Sequence, residues 1–332
     1  MNNNKLNSVY QPPAKLMRLE LSSVCNYRCH FCCWQNNDRS LSSARFTREQ
    51  IIMFCKELVK TDCKNINITG GEPLLLPKDY LTEMIEAIHS VEGINKLWVT
   101  TNGYMLCDLD FCRSLAKSGL KEAVVSIAAE TDESYRNYTG SALKLSELLQ
   151  GIANAVHCGI AIRVHVPLSP LGIHSFEQLE LLLDKVMLSG VKEAFYFRLH
   201  NSEKIEGIFN EIFIDPSVIT EGFKQSSRWQ YRETETGRPF YTNGIMQVNV
   251  PREQVRLVTQ NCKSRNCGAF CQGIYSAYCV PNKGGWTLRA CHRIFADKNN
   301  EYPLNMELLK SGQESQLQDL FQTIWRYAYE EE

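Results

Sequence analysis

Four cysteines lie close together near the start of the chain, in the segment CNYRCHFCCW at residues 25–34. Cys25, Cys29 and Cys32 are spaced C-x3-C-x2-C, and Cys33 follows directly. Thiolates in such a short run can converge on one iron–sulfur cluster, because cysteine sulfur is the usual ligand for these clusters. Three ligands on a four-iron cluster leave one iron open for a substrate or cofactor. The alternative is a zinc knuckle that recruits Cys33 or a distant residue as its fourth ligand.

The segments around these cysteines alternate between strand and helix patterns. Residues 16–22 alternate apolar and polar side chains and predict a strand. Residues 47–60 have helical periodicity with Thr47 as N-cap, and a short strand is predicted over 66–69. Helix and strand then repeat, with helices predicted over 79–89, 109–117, 146–158 and 175–187 and strands over 97–101, 123–127, 161–166 and 194–199. Six strands alternating with helices predict an α/β fold of parallel βαβ units.

A glycine-rich turn, Gly70-Gly71-Glu72-Pro73, follows the second strand. Glycine lets a backbone approach a ligand closely, and the Glu72 carboxylate could accept hydrogen bonds from an ammonium group. An ordinary strand-to-loop turn is the alternative. Parallel α/β folds place their chemistry at the carboxyl ends of the strands, where this turn and the cysteine segment are both expected to lie.

The cysteine spacing, with Phe31 before the last ligand, and the later Gly-Gly-Glu turn resemble the signature of the radical S-adenosylmethionine (SAM) superfamily. The resemblance implies a partial (β/α)6 TIM-like barrel and a 4Fe–4S cluster on Cys25, Cys29 and Cys32 whose open iron binds SAM. It also implies reductive cleavage of SAM to methionine and a 5′-deoxyadenosyl radical, which abstracts hydrogen from a substrate. A reductant such as flavodoxin or ferredoxin is the implied protein partner.

A closer resemblance, over roughly residues 15–200, is to the GTP cyclases of molybdenum-cofactor biosynthesis (MoaA-like proteins). It rests on Arg18, TGGEPLL at 69–75, TTNGYML at 100–106 and VSI at 125–127. By this resemblance the SAM site is lined by Phe31, Gly70, Gly71, Glu72, Ser126 and Leu199. The residues that fall where the cyclase binds its nucleotide are Arg18, Thr101 and Arg163.

The chain departs from the cyclase pattern at positions that carry positive charge. An arginine of the cyclase is replaced by Asn67, and the segment after Cys271 reads QGIYS instead of being rich in arginine. The terminal Gly-Gly of the cyclase is replaced by YEEE. These departures remove charge-assisted bonds from the place where a triphosphate would sit, so we predict that GTP is not the substrate.

A second group of cysteines lies between residues 262 and 291. Cys267, Cys271 and Cys291 align loosely with the auxiliary-cluster cysteines of the cyclase, with Cys262 or its rival Cys279 as a fourth ligand. We therefore expect a second iron–sulfur cluster, most simply another 4Fe–4S cluster. A structural zinc ribbon is the alternative.

Further polar residues stand at the ends of predicted strands. Glu130, His165, Arg198 and His200 are candidates for catalysis in the barrel mouth, and hydrogen-bonded strand ends are the alternative for each of them. Five other cysteines lie in or beside apolar patterns and are interpreted as small buried residues; they are Cys55, Cys63, Cys107, Cys112 and Cys158.

Composition limits the class of protein. The 332 residues are 44% hydrophobic and carry a net charge of −1, which gives no electrostatic argument for binding nucleic acid or membrane. The sequence has no apolar run long enough to span a bilayer and no apolar signal-peptide core near its start, so a cytoplasmic protein is expected. Clustered cysteines in a reducing compartment favour metal binding over disulfides.

The expected organisation is a flexible arm over 1–14, a radical SAM partial barrel over 15–205 and a C-terminal extension with the auxiliary cluster over 206–332. The expected activity is hydrogen abstraction from a small polar metabolite, such as a nucleoside, a nucleotide-sugar or a sugar-like intermediate. The alternatives are a peptide-modifying radical SAM enzyme, the GTP cyclase itself, and a zinc-stabilised binding protein without catalysis.

Overall fold

One sheet of twelve strands organises the described part of the chain. The structure is a computed structural model that describes residues 15–29, 32, 45–198, 214–235, 237–250, 276–282, 285–289 and 301–329. The strands are β1 (Leu16–Ser22), β2 (Asn65–Gly70), β3 (Lys96–Thr101), β4 (Glu122–Ser126), β5 (Ala161–Leu168), β6 (Glu193–Arg198), β7 (Gln230–Glu233), β8 (Pro239–Thr242), β9 (Gln247–Asn249), β10 (Ser276–Asn282), β11 (Gly285–Arg289) and β12 (Glu301–Leu304).

Helices connect the strands of the central part of the sheet. The helices are α1 (Arg48–Val59), α2 (Lys78–His89), α3 (Leu109–Lys117), α4 (Asp132–Thr139), α5 (Leu145–His157), α6 (Phe176–Leu188), α7 (Ser217–Gln225) and α8 (Glu314–Tyr329). Strands β1 to β6 are parallel neighbours in chain order, as successive right-handed βαβ units require. This arrangement confirms the predicted α/β barrel-type fold.

The helix boundaries follow from local sequence signals. Thr47 caps α1 through a capping box with Gln50, as predicted, and Ser175 caps α6 in the same way with Gln178. Helix α4 was not predicted, although Thr131 forms a third capping box at its start. Its sequence DESYRNYT buries few apolar residues, so it lacks the apolar periodicity by which the other helices were recognised.

Alternation along β1 defines two faces of the sheet. Met17, Leu19 and Leu21 are at most 1% exposed and pack in the core beneath the helices. Because side chains alternate along a strand, Arg18 and Glu20 point to the opposite, concave face. We call this concave face the lumen; by strand register its polar members include Arg18, Glu20, Asn67, Thr100, Glu122, Ser126, Arg163, His165, Glu193 and Arg289.

The region beyond residue 205 adds strands to both edges of the barrel sheet. Strand β10 pairs in parallel with β1, and β11 and β12 extend the sheet by antiparallel pairing. At the other edge β9 pairs in parallel with β6, and β8 and β7 extend the sheet from β9 by antiparallel pairing. The predicted extension over 206–332 therefore contributes part of the same sheet.

The last helix, α8, covers the outer face of α1. The Phe321 ring meets the Phe54 ring edge-on at 4.9 Å, and the Trp325 indole donates to the Thr61 hydroxyl at 2.9 Å. Within the described ranges no helix has the length and apolar character needed to cross a membrane. Of the single cysteines, Cys55, Cys63 and Cys112 are buried as predicted, Cys158 is partly buried, and Cys107 is exposed, which corrects the interpretation for that residue.

Candidate active site

Backbone hydrogen bonds join the cysteine loop to the Gly-Gly-Glu turn. The loop begins where β1 ends, and the turn begins where β2 ends, so neighbouring parallel strands deliver both to one end of the barrel. The Gly71 amide donates to the Ser22 carbonyl at 2.6 Å, and the Glu72 amide donates to the Val24 carbonyl at 2.7 Å. The predicted proximity of the two motifs is thus produced by direct pairing between them.

The two glycines are required by this pairing. Gly70 has φ +135°, and a Cβ placed there would lie 2.1 Å from the Ser22 carbonyl oxygen. A Cβ on Gly71 would lie 2.4 Å from the Val24 carbonyl oxygen. Glycine therefore allows close approach here, as expected from the sequence, and the group approached is the backbone of the cysteine loop.

The Glu72 side chain clamps the Gly-Gly-Glu turn to the end of β3. It is 1% exposed and accepts hydrogen bonds from the Leu74 amide at 2.9 Å and from the Thr101 hydroxyl at 2.6 Å. Its second oxygen accepts from the Asn102 amide at 2.6 Å. Burial raises the pKa of Glu72 to about 7, while these three hydrogen bonds oppose the rise. The predicted interaction of Glu72 with SAM stays a prediction, and three of the acceptor positions of the carboxylate are already used.

Asn102 connects this clamp to the first cysteine. Its side-chain amide lies 3.8 Å from the Cys25 sulfur and donates to the Asn26 side chain at 2.8 Å. The Tyr27 amide also points at the Cys25 sulfur, at 3.4 Å. Two N–H groups directed at one sulfur suit a thiolate that ligates metal, because such donors stabilise charge on sulfur.

Helix α4 and the loop after β3 brace the other side of the cysteine loop. The Tyr27 hydroxyl is 2.8 Å from that of Tyr135, and the Tyr27 ring meets the Tyr104 and Tyr135 rings edge-on. The Arg28 amide donates to the Thr139 carbonyl at 2.8 Å. The side chain of Tyr27, which belongs to the loop, is buried and holds the loop against α4 and the segment after β3.

The three cysteines act on one another electrostatically. Burial raises the pKa of the Cys25 thiol, and the charges of Glu72 and Cys32 raise it further. Burial also raises the pKa of Cys29, with additional contributions from Cys32 and Cys25. Three mutually coupled, half-buried thiols would be costly as thiolates on their own, and a cationic iron core would offset that cost.

The described residues of the cysteine loop fit the cluster that their spacing predicts. In the described ranges no three Cys, His, Asp or Glu side chains are grouped tightly enough to hold one ion. A four-iron cluster is wider than one ion, so its ligands stand farther apart. The three cysteines, the sulfur-directed N–H groups and the coupling of the thiols therefore fit a cluster.

A hydrogen-bonded chain crosses the first three strands inside the lumen. The Arg18 guanidinium donates to the Asn67 side-chain oxygen at 3.1 Å. The Asn67 amide nitrogen donates to the Thr100 hydroxyl at 2.9 Å. Asn67 is fully buried, so the residue that replaces an arginine of the cyclase pattern serves here to orient Arg18.

Arg163 lies on the far side of the lumen and is paired with acidic groups. Its guanidinium forms an ion pair with Glu122 on the neighbouring strand. Burial lowers the pKa of Arg163, and the charge of Glu193 opposes that shift. Glu193 in turn accepts from the Asn249 side chain at 2.7 Å.

His165 shows that β1 and β5 face each other across the lumen. Burial, together with the charges of Arg163 and Arg18, lowers the pKa of His165 to about 3. Arg18 is four strands away in the sheet, so its influence requires the sheet to curve. The imidazole is therefore neutral at physiological pH, and it meets the Phe195 and Phe197 rings edge-on at 5.6 and 6.0 Å.

The remaining sequence candidates are distributed between the site and its surroundings. Ser126 ends β4 beside His165 and is exposed, so it is accessible at the barrel mouth. Glu130 is buried, accepts from the Gln178 amide at 3.3 Å and the Ser134 hydroxyl at 3.4 Å, and thereby ties α4 to α6. This is the structural alternative considered for Glu130.

Thr101 belongs to the Glu72 clamp. Its hydroxyl donates to Glu72 and accepts from the Gly103 amide at 2.9 Å, whereas its neighbour Thr100 faces the lumen. The substrate role of Thr101 stays a prediction, as do the roles of Arg18 and Arg163. Several candidates lie outside the described residues: Phe31, Leu199, His200, Cys262, Cys267, Cys271 and Cys291. The side chain of Arg198 also lies outside them.

Sequence reasoning missed five residues of this region. Asn102 was the most recognisable, because it lies within the TTNGYML segment already noted for its resemblance. Tyr27, between the first two cysteine ligands, had no charge or spacing that marks a functional residue. The lumen residues Glu20, Thr100 and Arg289 depend on strand register and could not be assigned from spacing.

The model of the radical SAM superfamily matches residues 19–185, just over half of the chain. This match covers the cysteine loop, the clamp and strands β2 to β5. The chain therefore belongs to the radical SAM superfamily. The family implies a 4Fe–4S cluster and SAM, and the geometry of the cysteine loop fits that requirement.

Within the superfamily the chain is MoaA-like. It is 32% identical over 155 residues to the GTP 3′,8-cyclase of Aquifex aeolicus, a match that covers 46% of this chain and 47% of the relative. It is 28% identical over 185 residues to the probable GTP 3′,8-cyclase of Sulfurisphaera tokodaii, covering 55% and 56%. The chain thus spans about half the length of the curated relatives it matches.

Solved structures extend the likeness of fold beyond the barrel. Streptococcus suis SuiB bound to S-adenosylmethionine superposes with a TM-score of 0.62 over 93% of this chain and 67% of that structure, at 13% identity. HydG, a maturase of the [FeFe]-hydrogenase, superposes with a TM-score of 0.50 over 63% and 48%, at 14% identity. At these identities the likeness concerns the fold alone.

Proposed function

We propose that this protein is a radical SAM enzyme that abstracts hydrogen from a small polar metabolite bound in the lumen. A 4Fe–4S cluster held by Cys25, Cys29 and Cys32 would supply the electron that cleaves SAM to methionine and a 5′-deoxyadenosyl radical. The Glu72 clamp would hold the SAM side of the site, and a reductant such as flavodoxin or ferredoxin would deliver the electron. The cytoplasm, where such reductants act, is the proposed location.

The observation that carries this proposal is the polar lumen below the cysteine loop. Arg18 from β1 and Arg163 from β5 both act on His165, so side chains from opposite strands converge. Charged groups held inside a barrel cost free energy even when they are paired, and they are found most often where they serve binding or catalysis. The space where they meet is therefore the proposed substrate site.

Charge balance in the lumen favours a substrate other than a nucleoside triphosphate. Arg18 and Arg163 are accompanied by the carboxylates of Glu20, Glu122 and Glu193, and Arg289 on β11 acts on Glu20. Because the raised pKa of Glu20 leaves its carboxyl group largely protonated near pH 7, these three arginines and three glutamates carry about one excess positive charge, which is too little to match a triphosphate. A nucleoside or sugar-like metabolite fits such a lumen better than GTP.

GTP cyclisation is the second candidate, because the curated relatives carry that name. The experiment is incubation of the anaerobically reconstituted protein with SAM, dithionite and one of four probes: GTP, guanosine, UDP-glucose or glucose 6-phosphate. We expect one of the last three to raise the yield of 5′-deoxyadenosine and GTP to give no cyclised product. A cyclised GTP product well above background would replace this proposal with the second candidate.

A second iron–sulfur cluster on Cys262, Cys267, Cys271 and Cys291 is proposed from the sequence. Cys279, the rival fourth ligand, is buried on β10, and burial raises the pKa of its thiol well above the ordinary value. The charges of Glu20 and Cys55 raise it further. Cys279 pairs with Leu19 of β1 and lies in the apolar core on the face away from the lumen, which favours Cys262 as the fourth ligand.

A further inference from the structure

Glu20 is a buried carboxyl group that the roles described so far do not use. It lies on the lumen face of β1 and is 3% exposed. Arg18 and Arg289 are close enough to act on its charge. Within the described part of the chain, its Oε1 atom is buried without a hydrogen-bond partner.

Glu72 is a second buried glutamate, and its carboxylate differs from that of Glu20 in its hydrogen bonds. Both glutamates are buried in neighbouring parts of the barrel, and Glu72 has three donors. A buried polar atom without a partner is destabilising, and native proteins retain few of them. Such an atom in a binding site is explained when a ligand supplies the missing partner.

A hydroxyl group is the partner that fits this environment best. Burial raises the pKa of Glu20 to about 8, and Arg289 and Arg18 oppose the rise, so the carboxyl is near its point of protonation in neutral solution. A hydroxyl can donate to a carboxylate and accept from a carboxylic acid, so it pairs with either form. The guanidinium groups alongside can donate to other oxygens of the same ligand.

We propose that Glu20 is a substrate-positioning residue whose carboxyl group hydrogen-bonds a hydroxyl of a polyhydroxylated, sugar-like or nucleoside substrate. This inference rests on the proposed function and narrows its substrate class. Glu20 sits two residues after Arg18 on the same face of β1, so both contact one end of the ligand. The remaining part of the ligand extends toward the cysteine loop at the carboxyl end of the strand.

The first test compares glutamine substitutions at the two glutamates by thermal unfolding of the reconstituted protein. Glu72→Gln turns an amide donor toward groups that already donate, so we expect Tm to fall by about 2–8 °C. Glu20→Gln keeps the size of the side chain and breaks no hydrogen bond at Oε1, so its Tm should stay close to that of the wild type. A fall as large as that of Glu72→Gln would show that Glu20 is structurally satisfied and would overturn the inference.

The second test measures 5′-deoxyadenosine yield with and without guanosine, UDP-glucose and glucose 6-phosphate. With the most active probe, Glu20→Leu should raise the KM or lower the stimulated yield by ~10-fold or more, since it removes all hydrogen bonding. Glu20→Gln should recover most of this loss. Full stimulation in Glu20→Leu, with an unaltered KM, would contradict the proposal.

Glu57 supplies the matched control for both tests. It is also buried, lies on α1 outside the lumen, pairs one oxygen with Lys60 at 2.6 Å and leaves Oε2 without a partner in the described residues. Glu57→Gln should match the wild type in both yields. If no probe stimulates the wild type, the proposed substrate class is wrong, and the unfolding comparison still decides whether Glu20 is structural.

Discussion

The Glu72 clamp and the lumen around Glu20 each contain a buried glutamate, but the two carboxyl groups have different surroundings. In the clamp, the hydrogen bonds of the carboxylate are with the protein itself and hold the Gly-Gly-Glu turn to the end of β3, and the side chain of Asn102 connects this unit to the cysteine loop. In the lumen, Glu20 has charged neighbours and an oxygen without a partner among the described residues.

The difference shows which part of the site is prepared before any ligand binds. A satisfied carboxylate fixes the shape of a loop, as is needed where a cluster and its cofactor must always be held in one geometry. A carboxyl group with an oxygen that has no partner can form a hydrogen bond to a bound substrate, and the substrate differs from one family member to another. The clamp is therefore expected to be rigid and the lumen to determine specificity.

Removing the cysteine ligands should abolish cluster binding at the cysteine loop, and we expect this to be the largest effect. Changing Cys25, Cys29 and Cys32 together to Ala should lower the iron content of the anaerobically reconstituted protein from ~8 to ~4 per chain, because one of two clusters is lost. Cleavage of SAM should cease. Iron analysis and 5′-deoxyadenosine measurement check this, and unchanged iron would refute the ligand assignment.

A methyl group at Gly70 should force the clamp and the cysteine loop apart. The new Cβ would meet the Ser22 carbonyl at 2.1 Å with φ at +135°, so we expect a loss of about 3 kcal/mol or more in the free energy of unfolding. Gly244, with φ +85° and nothing within 4 Å, is the control, and its change to Ala should cost about 1 kcal/mol. Equal losses in denaturant titrations would show that the close approach has no importance.

Two adjacent threonines on β3 belong to different regions, because Thr101 contacts the clamp and Thr100 contacts the lumen. Thr101→Val removes a donor to Glu72 and an acceptor for the Gly103 amide, so it should cost about 1–3 kcal/mol of stability and weaken SAM binding. Thr100→Val removes one partner of Asn67 in the lumen and should cost about 1 kcal/mol. If the two variants affected SAM affinity equally, Thr101 would not belong to the clamp.

The smallest expected effect is the contribution of Glu20 to the pH dependence of the free energy of unfolding. Its pKa rises from an ordinary value of 4.5 to about 8 on folding, so between these values the unfolded chain loses its proton first. Stability from this group is therefore lost as pH rises from about 5 to about 8. The groups that act on it are Arg18, Arg289 and, across to β10, the Cys279 thiol.

The measurement is the free energy of unfolding of the wild type minus that of Glu20→Gln at several pH values. The difference should fall across this range, since only the wild type has the titrating group. A flat difference would mean that the carboxyl is not held in the buried state described here.

Sequence reasoning predicted the barrel and the ligand loop well because both depend on local signals. The boundaries of α3 and β1 agree with the structure, and the caps at Thr47 and Ser175 mark the starts of their helices. The cysteine spacing and the glycine turn likewise carry their chemistry within a few residues.

The lumen could not be predicted because it depends on strand register. A shift of one residue reverses the face on which a side chain lies, so spacing alone does not tell which of Thr100 and Thr101 faces the lumen; in the structure it is Thr100. Strand β10 pairs with β1 across most of the chain length, and no local pattern specifies such a long-range contact. Arg289 reaches Glu20 only through that pairing.

The affinity for SAM of three proteins tests the division between clamp and lumen most directly. Equilibrium binding should be measured for the reconstituted wild type, Glu72→Gln in the clamp and Arg18→Ala in the lumen. We predict that Glu72→Gln weakens SAM binding by about one to two orders of magnitude, through the lost charge and the loosened turn, and that Arg18→Ala weakens it by much less. An equal loss in Arg18→Ala would show that SAM and substrate are not held by separate regions and would contradict the account.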